Sequence, residues 1–355
     1  MRQYTVHIRP AALRFTMKHI LLIATGGTIA SAEAGNGLAP ALTGKDLAQA
    51  VPEISELCTL DIVQPMNIDS TNMRPRDWLA IAREIKQGYE THDGFVVLHG
   101  TDTMAYTAAA LSYLIQNSPK PIVLTGSQKP MSDSFTDAKL NLYQSLVYAC
   151  DDFSHDVGVV FNGTAIAGTR ARKQRTMSFN AFTSMNFPPV AYMRGNRVVR
   201  SISPARHSSK SLHSPVTFFD RLDPRVSVLK LTPGLDPAIF EALKPTCDAL
   251  ILETFGIGGI PEYELGGPSF KDAIFDWVDT GRTIVMTTQV PEEGLDLGVY
   301  EVGRVYAEHA GILKGGDMTT EALVAKTMWA LGQTRDADAL HALFTRVINH
   351  DRTTE

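Results

Sequence analysis

The sequence His19-Ile20-Leu21-Leu22-Ile23-Ala24 runs directly into Thr25-Gly26-Gly27-Thr28-Ile29-Ala30. The first six residues are a short apolar run with little polar alternation, which is typical of a strand buried on both faces of a parallel sheet. The glycines and threonines that follow stand just beyond the carboxyl end of that strand, where open parallel sheets bind their ligands. This stretch therefore predicts an α/β protein with a functional loop after its first strand.

The same alternation continues through the first half of the chain. Further apolar runs predict strands at 58–63, 94–99, 121–125 and 157–161. Helical patterns lie between them at 76–89, 104–117 and 137–149, the last with Thr136 as its N-cap. Strand–helix alternation of this kind indicates a doubly wound, mostly parallel sheet.

A second, smaller α/β unit is predicted after residue 225. Its strands are expected at 226–231, 249–253 and 283–288, and its helices at 237–243, 270–279 and 320–331. The stretch 206–225 is rich in serine, contains two prolines and has no clear periodicity, so we interpret it as a linker. The expected organisation is an N-terminal extension (1–16), a catalytic α/β domain (17–205), the linker (206–225) and a smaller α/β domain (226–355).

Composition excludes several classes of protein. The 355 residues carry 33 Lys and Arg against 38 Asp and Glu, a net charge of −5, with no basic block that would indicate a nucleic-acid or membrane-surface partner. No apolar run approaches the roughly 20 residues that a membrane span needs. The three cysteines argue against a disulfide scaffold and favour a reducing, cytoplasmic compartment.

Residues 1–16 contain Arg2, His7, Arg9 and Arg14 and no acidic residue, and they precede a second methionine, Met17. An upstream start codon is the favoured interpretation, with a transit peptide or a secretory signal as alternatives. Residues 20–24 are shorter than the apolar region of a secretory signal, which takes about 7–15 residues. We expect this extension to be disordered and dispensable for function.

Two loops contain hydroxyl and carboxylate groups that fit chemistry at a strand end. The first ends in Thr28; it lacks both a G-x-G-x-x-G fingerprint and a G-K-[ST] sequence, so it predicts neither a dinucleotide nor a nucleotide-phosphate site. The second is His99-Gly100-Thr101-Asp102-Thr103, in which Asp102 suits an ammonium group and Thr101 a nucleophile or a bound water. The alternatives are a tight turn with Thr28 as a helix cap, and capping of helix 104–117 by Asp102 or Thr103.

Two further segments contribute candidates. The loop 66–73 includes Asp69, Ser70 and Thr71, which suit a carboxylate or an amino group, although a polar turn is the favoured interpretation of this loop taken alone. A threonine needs activation before it attacks, and Lys173 or a tyrosine is the candidate for that role.

Neither H-E-x-x-H, C-x-x-C nor G-x-S-x-G occurs, so no metal site and no α/β-hydrolase elbow is predicted.

Taken together, Thr25–Ala30 and His99–Thr107 closely resemble the asparaginase/glutaminase amidohydrolase family, and most strongly its bacterial cytoplasmic (type I) L-asparaginases. The resemblance includes Asn67–Met73, Thr125-Gly126-Ser127-Gln128, Gly168–Lys173 and Gly315–Glu321, and it covers the chain from Met17 to about Gln333. It implies hydrolysis of the side-chain amide of L-asparagine to L-aspartate and ammonia without a cofactor. It also implies a homodimer or homotetramer.

The resemblance assigns roles residue by residue. Thr28 matches the primary nucleophile, and Thr101, Asp102 and Lys173 match a Thr-Asp-Lys group. Contacts to the substrate are implied for a wider set: Gly27, Asp69, Ser70, Thr71, Thr101, Asp102 and Ser127. Two positions depart from the family pattern, since Leu38 stands where many members carry an activating tyrosine and Gly259 where many carry an asparagine.

Three alternative functions stay open at this point. A glutaminase would use the same machinery, since one methylene is worth only about 1–3 kcal/mol of discrimination. The asparaginase-like component of the Gln-tRNA-forming amidotransferase shares these motifs but would need an additional N-terminal domain. A non-catalytic amino-acid sensor would keep the pocket and lose turnover.

Overall fold

A computed structural model describes residues 17–34, 37–40, 43–201, 214–262, 269–298, 305–306, 309 and 311–353. The predictions for residues 1–16 and for the first part of the linker lie outside these residues. In chain order the described strands are β1 (Lys18–Ala24), β2 (Ser31–Ala34), β3 (Gly37–Pro40), β4 (Cys58–Val63), β5 (Gly94–Leu98), β6 (Ile115–Gln116), β7 (Ile122–Thr125), β8 (Val157–Phe161), β9 (Thr164–Ala167), β10 (Ala171–Lys173), β11 (Phe182–Ser184), β12 (Ala191–Arg194), β13 (Arg197–Arg200), β14 (Thr217–Phe218), β15 (Val226–Lys230), β16 (Ala249–Thr254), β17 (Thr283–Thr288) and β18 (Ile312–Lys314). The described helices are α1 (Gly44–Gln49), α2 (Pro75–Gly88), α3 (Met104–Leu114), α4 (Ala138–Ala149), α5 (Ala238–Leu243), α6 (Phe270–Asp279), α7 (Thr320–Gln333) and α8 (Ala337–Thr345).

Eight of the described strands form the central sheet of the N-terminal half, in the order β13-β12-β9-β8-β7-β5-β1-β4. The five strands from β8 to β4 are parallel, and β9, β12 and β13 extend the sheet in antiparallel fashion. Every residue of β5, β7 and β8 is buried, because helices cover both faces. The prediction of a larger, mostly parallel doubly wound sheet is confirmed.

Helix α2 shows how the local sequence produces this packing. Pro75 begins the helix, where its missing N–H costs nothing. Asp77 accepts a hydrogen bond from the Arg74 backbone N–H (2.9 Å), which satisfies a group at the helix start. The buried residues recur at helical spacing and face the sheet: Trp78, Ile81, Ala82 and Ile85.

The C-terminal half contains a second sheet of four described strands, all parallel, in the order β15-β16-β17-β18. Helices α5 and α6 pack on one face around Trp277 and Phe240. Helix α7 lies on the other side and packs against α3 of the first half. The predicted smaller α/β unit is therefore present, and its core is continuous with that of the N-terminal half.

Three local predictions differ from the structure. Helix 104–117 ends at Leu114, because Ile115 and Gln116 instead pair with β14 as strand β6. That pairing places part of the predicted linker 206–225 on the N-terminal half, where Phe219 N–H also donates to the Leu114 carbonyl (2.8 Å). The residue next to helix α4 is Asp137, although the Thr136 hydroxyl does accept from the Ala138 N–H (3.0 Å).

No helix among the described residues is both long and apolar enough to cross a membrane.

Candidate active site

The predicted loops meet at the carboxyl ends of β1, β5 and β7. The Thr25 N–H donates to the Leu98 carbonyl (3.0 Å), and the His99 N–H donates to the Thr125 carbonyl (2.8 Å). The loop after β4 joins them, because the Ile68 N–H donates to the Thr25 carbonyl (2.9 Å). Parallel strands bring their carboxyl ends to one edge of a sheet, so four segments distant in sequence form one surface.

Glycines allow these loops to touch backbone to backbone. Gly27 has a φ of +81°, and a Cβ atom there would lie 2.4 Å from the Gly100 Cα. A Cβ on Gly100 would in turn lie 2.6 Å from the Ser70 hydroxyl oxygen. The Gly-Gly-Thr sequence is therefore required by the close approach of three loops as well as by the turn.

Thr28 follows directly on this contact. It begins a 3₁₀ turn (Thr28–Ala30) and is half-buried. Ile29 beneath it is fully buried, and its carbonyl accepts from the Met131 N–H (3.3 Å). The turn that presents Thr28 is thus anchored both in the core and to the loop after β7.

Thr101, Asp102 and Lys173 form a hydrogen-bonded cluster beside these loops. The Lys173 Nζ donates to the Thr101 Oγ1 (2.8 Å) and to the Asp102 Oδ1 (2.5 Å). The Thr101 hydroxyl donates onward to the Gln128 Oε1 (3.2 Å). Thr101 is buried, whereas the Asp102 side chain is 56% exposed and the Lys173 side chain 18% exposed. The buried Thr101 therefore anchors the cluster in the protein, and the exposed Asp102 carboxylate is accessible to a ligand.

A buried arginine fixes the segment that carries Lys173. Lys173 ends strand β10, which pairs with β11. Three residues earlier, Arg170 is completely buried, and its Nη1 donates to the Asp317 Oδ2 (3.1 Å) and carbonyl (2.9 Å) in the C-terminal half. Burial favours the neutral form of Asp317, but hydrogen bonds from Thr353 and Arg170 outweigh it and hold the pKa of this carboxyl below its usual value. The C-terminal half thus helps to position Lys173.

The remaining predicted residues differ in what their side chains do. Ser70 is buried against Gly100, and its carbonyl accepts from the Thr103 hydroxyl (2.8 Å). Asp69 and Thr71 are exposed, and the Asp69 Oδ1 accepts from the Thr71 N–H (2.9 Å) and hydroxyl (3.0 Å), which caps the turn Ser70–Asn72. Ser127 is fully buried, and its hydroxyl donates to the Lys129 carbonyl. Only its backbone is therefore in a position to meet a ligand.

Sequence reasoning assigned no role to three residues that support the site. Gln128 binds Thr101, and Asp137 accepts from the backbone N–H groups of Gln128 (3.0 Å) and Lys129 (3.1 Å). His99 is fully buried, and its ring nitrogens contact the Gly100 carbonyl (2.7 Å) and the Thr107 hydroxyl (2.9 Å). Gln128 and His99 stand in stretches that the family resemblance includes, which was the available signal; the role of Asp137 depends on tertiary contacts.

Burial lowers the pKa of His99 to about 4, so its ring is neutral near pH 7. A neutral ring has one N–H group. It lies on Nδ1, because the Gly100 carbonyl beside that nitrogen can only accept, and Nε2 then accepts from the Thr107 hydroxyl. His99 therefore orients the loop that carries Thr101 and Asp102 and is not itself a proton carrier. The donors of this site are hydroxyls, an amide, a lysine and one carboxylate, a set that does not suit a transition metal.

Two domain families match the chain on either side of residues 207–224. Residues 19–206 match the family described as "Asparaginase, N-terminal", and residues 225–344 match the "Glutaminase/Asparaginase C-terminal domain". The chain belongs to the asparaginase family. The resemblance read from the loop sequences is therefore confirmed over both halves.

Several members of the family are similar over nearly the whole chain. The L-asparaginase of Thermococcus kodakarensis is 39% identical over 333 residues, which is 93% of this chain and 97% of that protein. Its solved structure has a TM-score of 0.86 and covers 95% of this chain and 100% of that one, at 37% identity. L-asparaginase 1 of Escherichia coli K12 is 32% identical and covers 95% of this chain and 98% of that protein. A glutamyl-tRNA(Gln) amidotransferase component of Pyrococcus abyssi is 34% identical and covers 92% of this chain but 75% of that protein.

Both departures from the asparaginase pattern lie in described backbone. Leu38 belongs to β3, which forms a hairpin with β2 in which Leu38 is opposite Glu33. Gly259 closes a tight turn, because its N–H donates to the Phe255 carbonyl (2.7 Å) and its carbonyl accepts from the Phe255 N–H (2.9 Å). A leucine and a glycine at these positions supply neither a phenol nor an amide group.

Proposed function

We propose that this protein hydrolyses the side-chain amide of L-asparagine to L-aspartate and ammonia. The observation that supports this most strongly is the position of the Lys173 Nζ, 2.8 Å from the Thr101 hydroxyl and 2.5 Å from the Asp102 carboxylate. An amine and a hydroxyl in contact are the parts that activate a water or an alcohol for attack on a carbonyl carbon. The nearby loop with Thr28 supplies a second hydroxyl, so a two-step acyl transfer is possible.

In the first step the Thr28 Oγ attacks the amide carbon of the substrate. The Thr28 O–C bond forms, the C–N bond breaks, and the amide nitrogen leaves as ammonia with the proton of the hydroxyl. Backbone N–H groups of the loops stabilise the negative charge that develops on the carbonyl oxygen. The close backbone contact of Gly27 and Gly100 keeps side chains away from that oxygen.

In the second step a water attacks the acyl-enzyme ester. Thr101 and Lys173 orient this water and take up its proton, and the bond between the Thr28 Oγ and the acyl carbon breaks to release aspartate. The proton taken from the water passes to the Thr28 Oγ, which restores the hydroxyl. Gln128 accepts from Thr101 and so fixes the direction in which that hydroxyl points. Asp102 has a double role, since it contacts Lys173 and its exposed carboxylate suits the α-ammonium group of an amino acid.

Recognition of the substrate's α-carboxylate is assigned to Ser70 and to the backbone around Asp69, Thr71 and Ser127. The loop Asn67–Met73 lies against Gly27 and Gly100, next to the proposed nucleophile. The net charge of −5 has no bearing on a zwitterionic substrate. Specificity thus depends on a few placed hydroxyl and carboxylate groups.

The deciding assay is ammonia release from the purified protein with L-asparagine and, separately, with L-glutamine. Higher kcat/KM with asparagine supports the proposal, and higher kcat/KM with glutamine favours the glutaminase alternative. Binding of either amino acid by calorimetry with no ammonia release favours the sensor. The amidotransferase alternative rests on the similarity to the archaeal amidotransferase component, and it predicts ammonia release that depends on added partner proteins and tRNA.

Three accompanying proposals concern the whole protein. A cytoplasmic location is supported by the three described cysteines, which are all free thiols. Assembly as a homodimer or homotetramer rests on the family resemblance, and light scattering of the purified protein tests it. The division into segments 17–205 and 226–355 is supported by the two separate sheets, and limited proteolysis between residues 205 and 226 tests it.

A further inference from the structure

Two histidines and an aspartate converge near the amino ends of β1 and β5, whereas the active site lies at the carboxyl ends of these strands. His19 lies near the start of β1, Asp61 lies on the adjacent edge strand β4, and His92 precedes β5. One ligand atom from each lies within 4.8 Å of the others. Over the part of the chain that the structure describes, this is the one such group of three His, Cys, Asp or Glu residues. We propose that His19, Asp61 and His92 form a binding site for a divalent transition-metal ion of the Zn²⁺ type.

The hydrogen bonds of the two rings leave the correct nitrogens available. The His92 Nδ1 contacts the Gly88 carbonyl (2.9 Å), and the His19 Nδ1 contacts the Thr91 carbonyl (3.2 Å). A carbonyl only accepts, so each Nδ1 carries the proton and each Nε2 of a neutral ring presents a lone pair. Backbone carbonyls hold metal-binding histidines in this same tautomer in known sites.

The Nε2 atoms of both rings lie close to one carboxylate oxygen, and the His92 Nε2 has hydrogen-bond geometry toward it. The distance from the Asp61 Oδ2 is 3.2 Å to the His19 Nε2 and 3.2 Å to the His92 Nε2. Hydrogen bonds between a charged N–H group and a carboxylate are shorter, about 2.7–2.9 Å. Two ligands that bind one Zn²⁺ at about 2.0–2.1 Å in tetrahedral geometry are separated by about 3.3 Å. The two observed distances, which are at the long end of the hydrogen-bond range, match two ligand–ligand distances of a tetrahedral metal site.

Charge supports the same interpretation. Direct hydrogen bonds from both rings to Asp61 would need two imidazolium ions, whose ring centres lie only 4.4 Å apart. Two like charges that close repel each other. With neutral rings, two nitrogen lone pairs lie near a carboxylate, and a cation bound by all three groups would stabilise this arrangement. Two nitrogens and one oxygen are donors that Zn²⁺ commonly takes.

The site is open to solvent and separate from catalysis. The Asp61 side chain is 61% exposed and that of His19 36% exposed, so an ion can enter and water can complete its coordination. His92 is buried and fixes the inner side. A bound ion would join β4 to β1 and to the segment before β5, and it would therefore stabilise the folded state without contact to the proposed catalytic residues.

The test uses the full chain, freed of metal with a chelator that is then removed. Calorimetric titration with ZnCl₂ should give one ion per chain and a rise in the thermal midpoint, and Co²⁺ should give the visible absorption of a low-symmetry site. Asp61→Asn should weaken Zn²⁺ binding by at least about tenfold. Because Asp61 is exposed, this variant should fold, as circular dichroism will verify.

Asp279→Asn is the matched control, since Asp279 is also exposed and lies beside a single histidine, His309, at 3.9 Å. It should bind Zn²⁺ as the unmodified chain does. His19→Gln is the second test variant and should weaken binding as Asp61→Asn does. The proposal is overturned if the unmodified chain binds Zn²⁺ no more tightly than Asp61→Asn, or if Asp279→Asn loses as much affinity as the two test variants.

Discussion

At the scale of single residues, Lys173 is the group on which the proposed second step depends most. It contacts both Thr101 and Asp102, so one amine connects the hydroxyl that orients water to the carboxylate that meets the substrate. In the sequence it is one cation in a basic segment, and the neighbours that give it a role are 72 and 71 positions away. A pattern along the chain cannot reveal such contacts. The residues alone offered Lys173 as one candidate for activating a threonine, and the family resemblance assigned it to the Thr-Asp-Lys group.

Replacing Lys173 by Met should lower turnover of asparagine by about 10²–10⁴-fold, because the amine that handles the proton is lost. Steady-state ammonia release measures this effect. The matched control is Lys129→Met, which removes a lysine from the loop after β7. Its amine contacts Asp133 in a partly exposed ion pair and lies over the Phe135 ring. Equal activity of the two variants would show that Lys173 has no part in the reaction.

His99 gives a prediction for pH. Its folded-state pKa is about 4 because of burial, below the unfolded value of about 6.5. Between these values the unfolded chain binds more protons, so stability falls as the pH is lowered from 6.5 to 4. Protonation of His99 in the unfolded chain accounts for a loss of about 3 kcal/mol in the free energy of unfolding over this pH range.

Denaturation of the unmodified chain and of His99→Gln across pH 7 to 4 measures this contribution, because the variant lacks the titrating ring. The stability of His99→Gln should fall less steeply over this range. A His99 ring that titrates near pH 6.5 by NMR would contradict the assignment.

At the scale of elements, the strands were predictable and their junctions were less so. The runs at 157–161 and 283–288 match β8 and β17, in which every residue is buried, and the run at 58–63 matches the edge strand β4, in which only Cys58 is buried. Helix 104–117 was predicted too long, since its last residues are as buried as the helix and form strand β6 instead. The short strands from β9 to β13 carry no such pattern, and their pairing depends on partners elsewhere in the chain.

Gly27 and Gly195 make a matched pair for testing the contact between loops. Both have positive φ, +81° and +62°, but a Cβ at Gly27 would overlap Gly100, whereas nothing lies within 4 Å of one at Gly195. Gly195→Ala should cost about 1–2 kcal/mol of stability from backbone strain alone. Gly27→Ala should cost about 1–3 kcal/mol more because of the overlap.

Gly27→Ala should also lower asparagine hydrolysis by at least about 100-fold, because the loops that present Thr28 and Thr101 are forced apart. Chemical denaturation and ammonia release measure the two effects. A Gly27→Ala variant as stable and active as Gly195→Ala would contradict the described packing.

At the scale of the whole molecule, a buried polar cluster joins the two halves. The Lys326 Nζ of α7 donates to the Asp351 Oδ2 (2.6 Å), which also accepts from the Tyr113 hydroxyl of α3 (3.1 Å). Burial lowers the pKa of Lys326 to about 8 despite this carboxylate. The alternation of strand and helix patterns predicted two α/β units, but the continuous core and this cluster depend on surfaces that meet only in the folded chain.

Lys326→Met should destabilise the protein by about 3–5 kcal/mol, because it leaves Asp351 buried without its cation. Urea denaturation followed by tryptophan fluorescence measures the change, since Trp329 lies near this cluster and stacks on Tyr113. Removal of the exposed cation in Lys129→Met should cost no more than about 1 kcal/mol. Equal midpoints for the two variants would show that the cluster does not hold the halves together.

In the proposed mechanism Thr28 forms the acyl-enzyme and Lys173 serves its hydrolysis. Mass spectrometry of Lys173→Met, quenched during reaction with L-asparagine, tests both roles most directly. We expect one aspartyl group on the peptide that contains Thr28, and no adduct when Thr28→Ala is added to the same variant. An aspartyl adduct that still forms without Thr28, or that lies on the peptide containing Thr101, would contradict this mechanism.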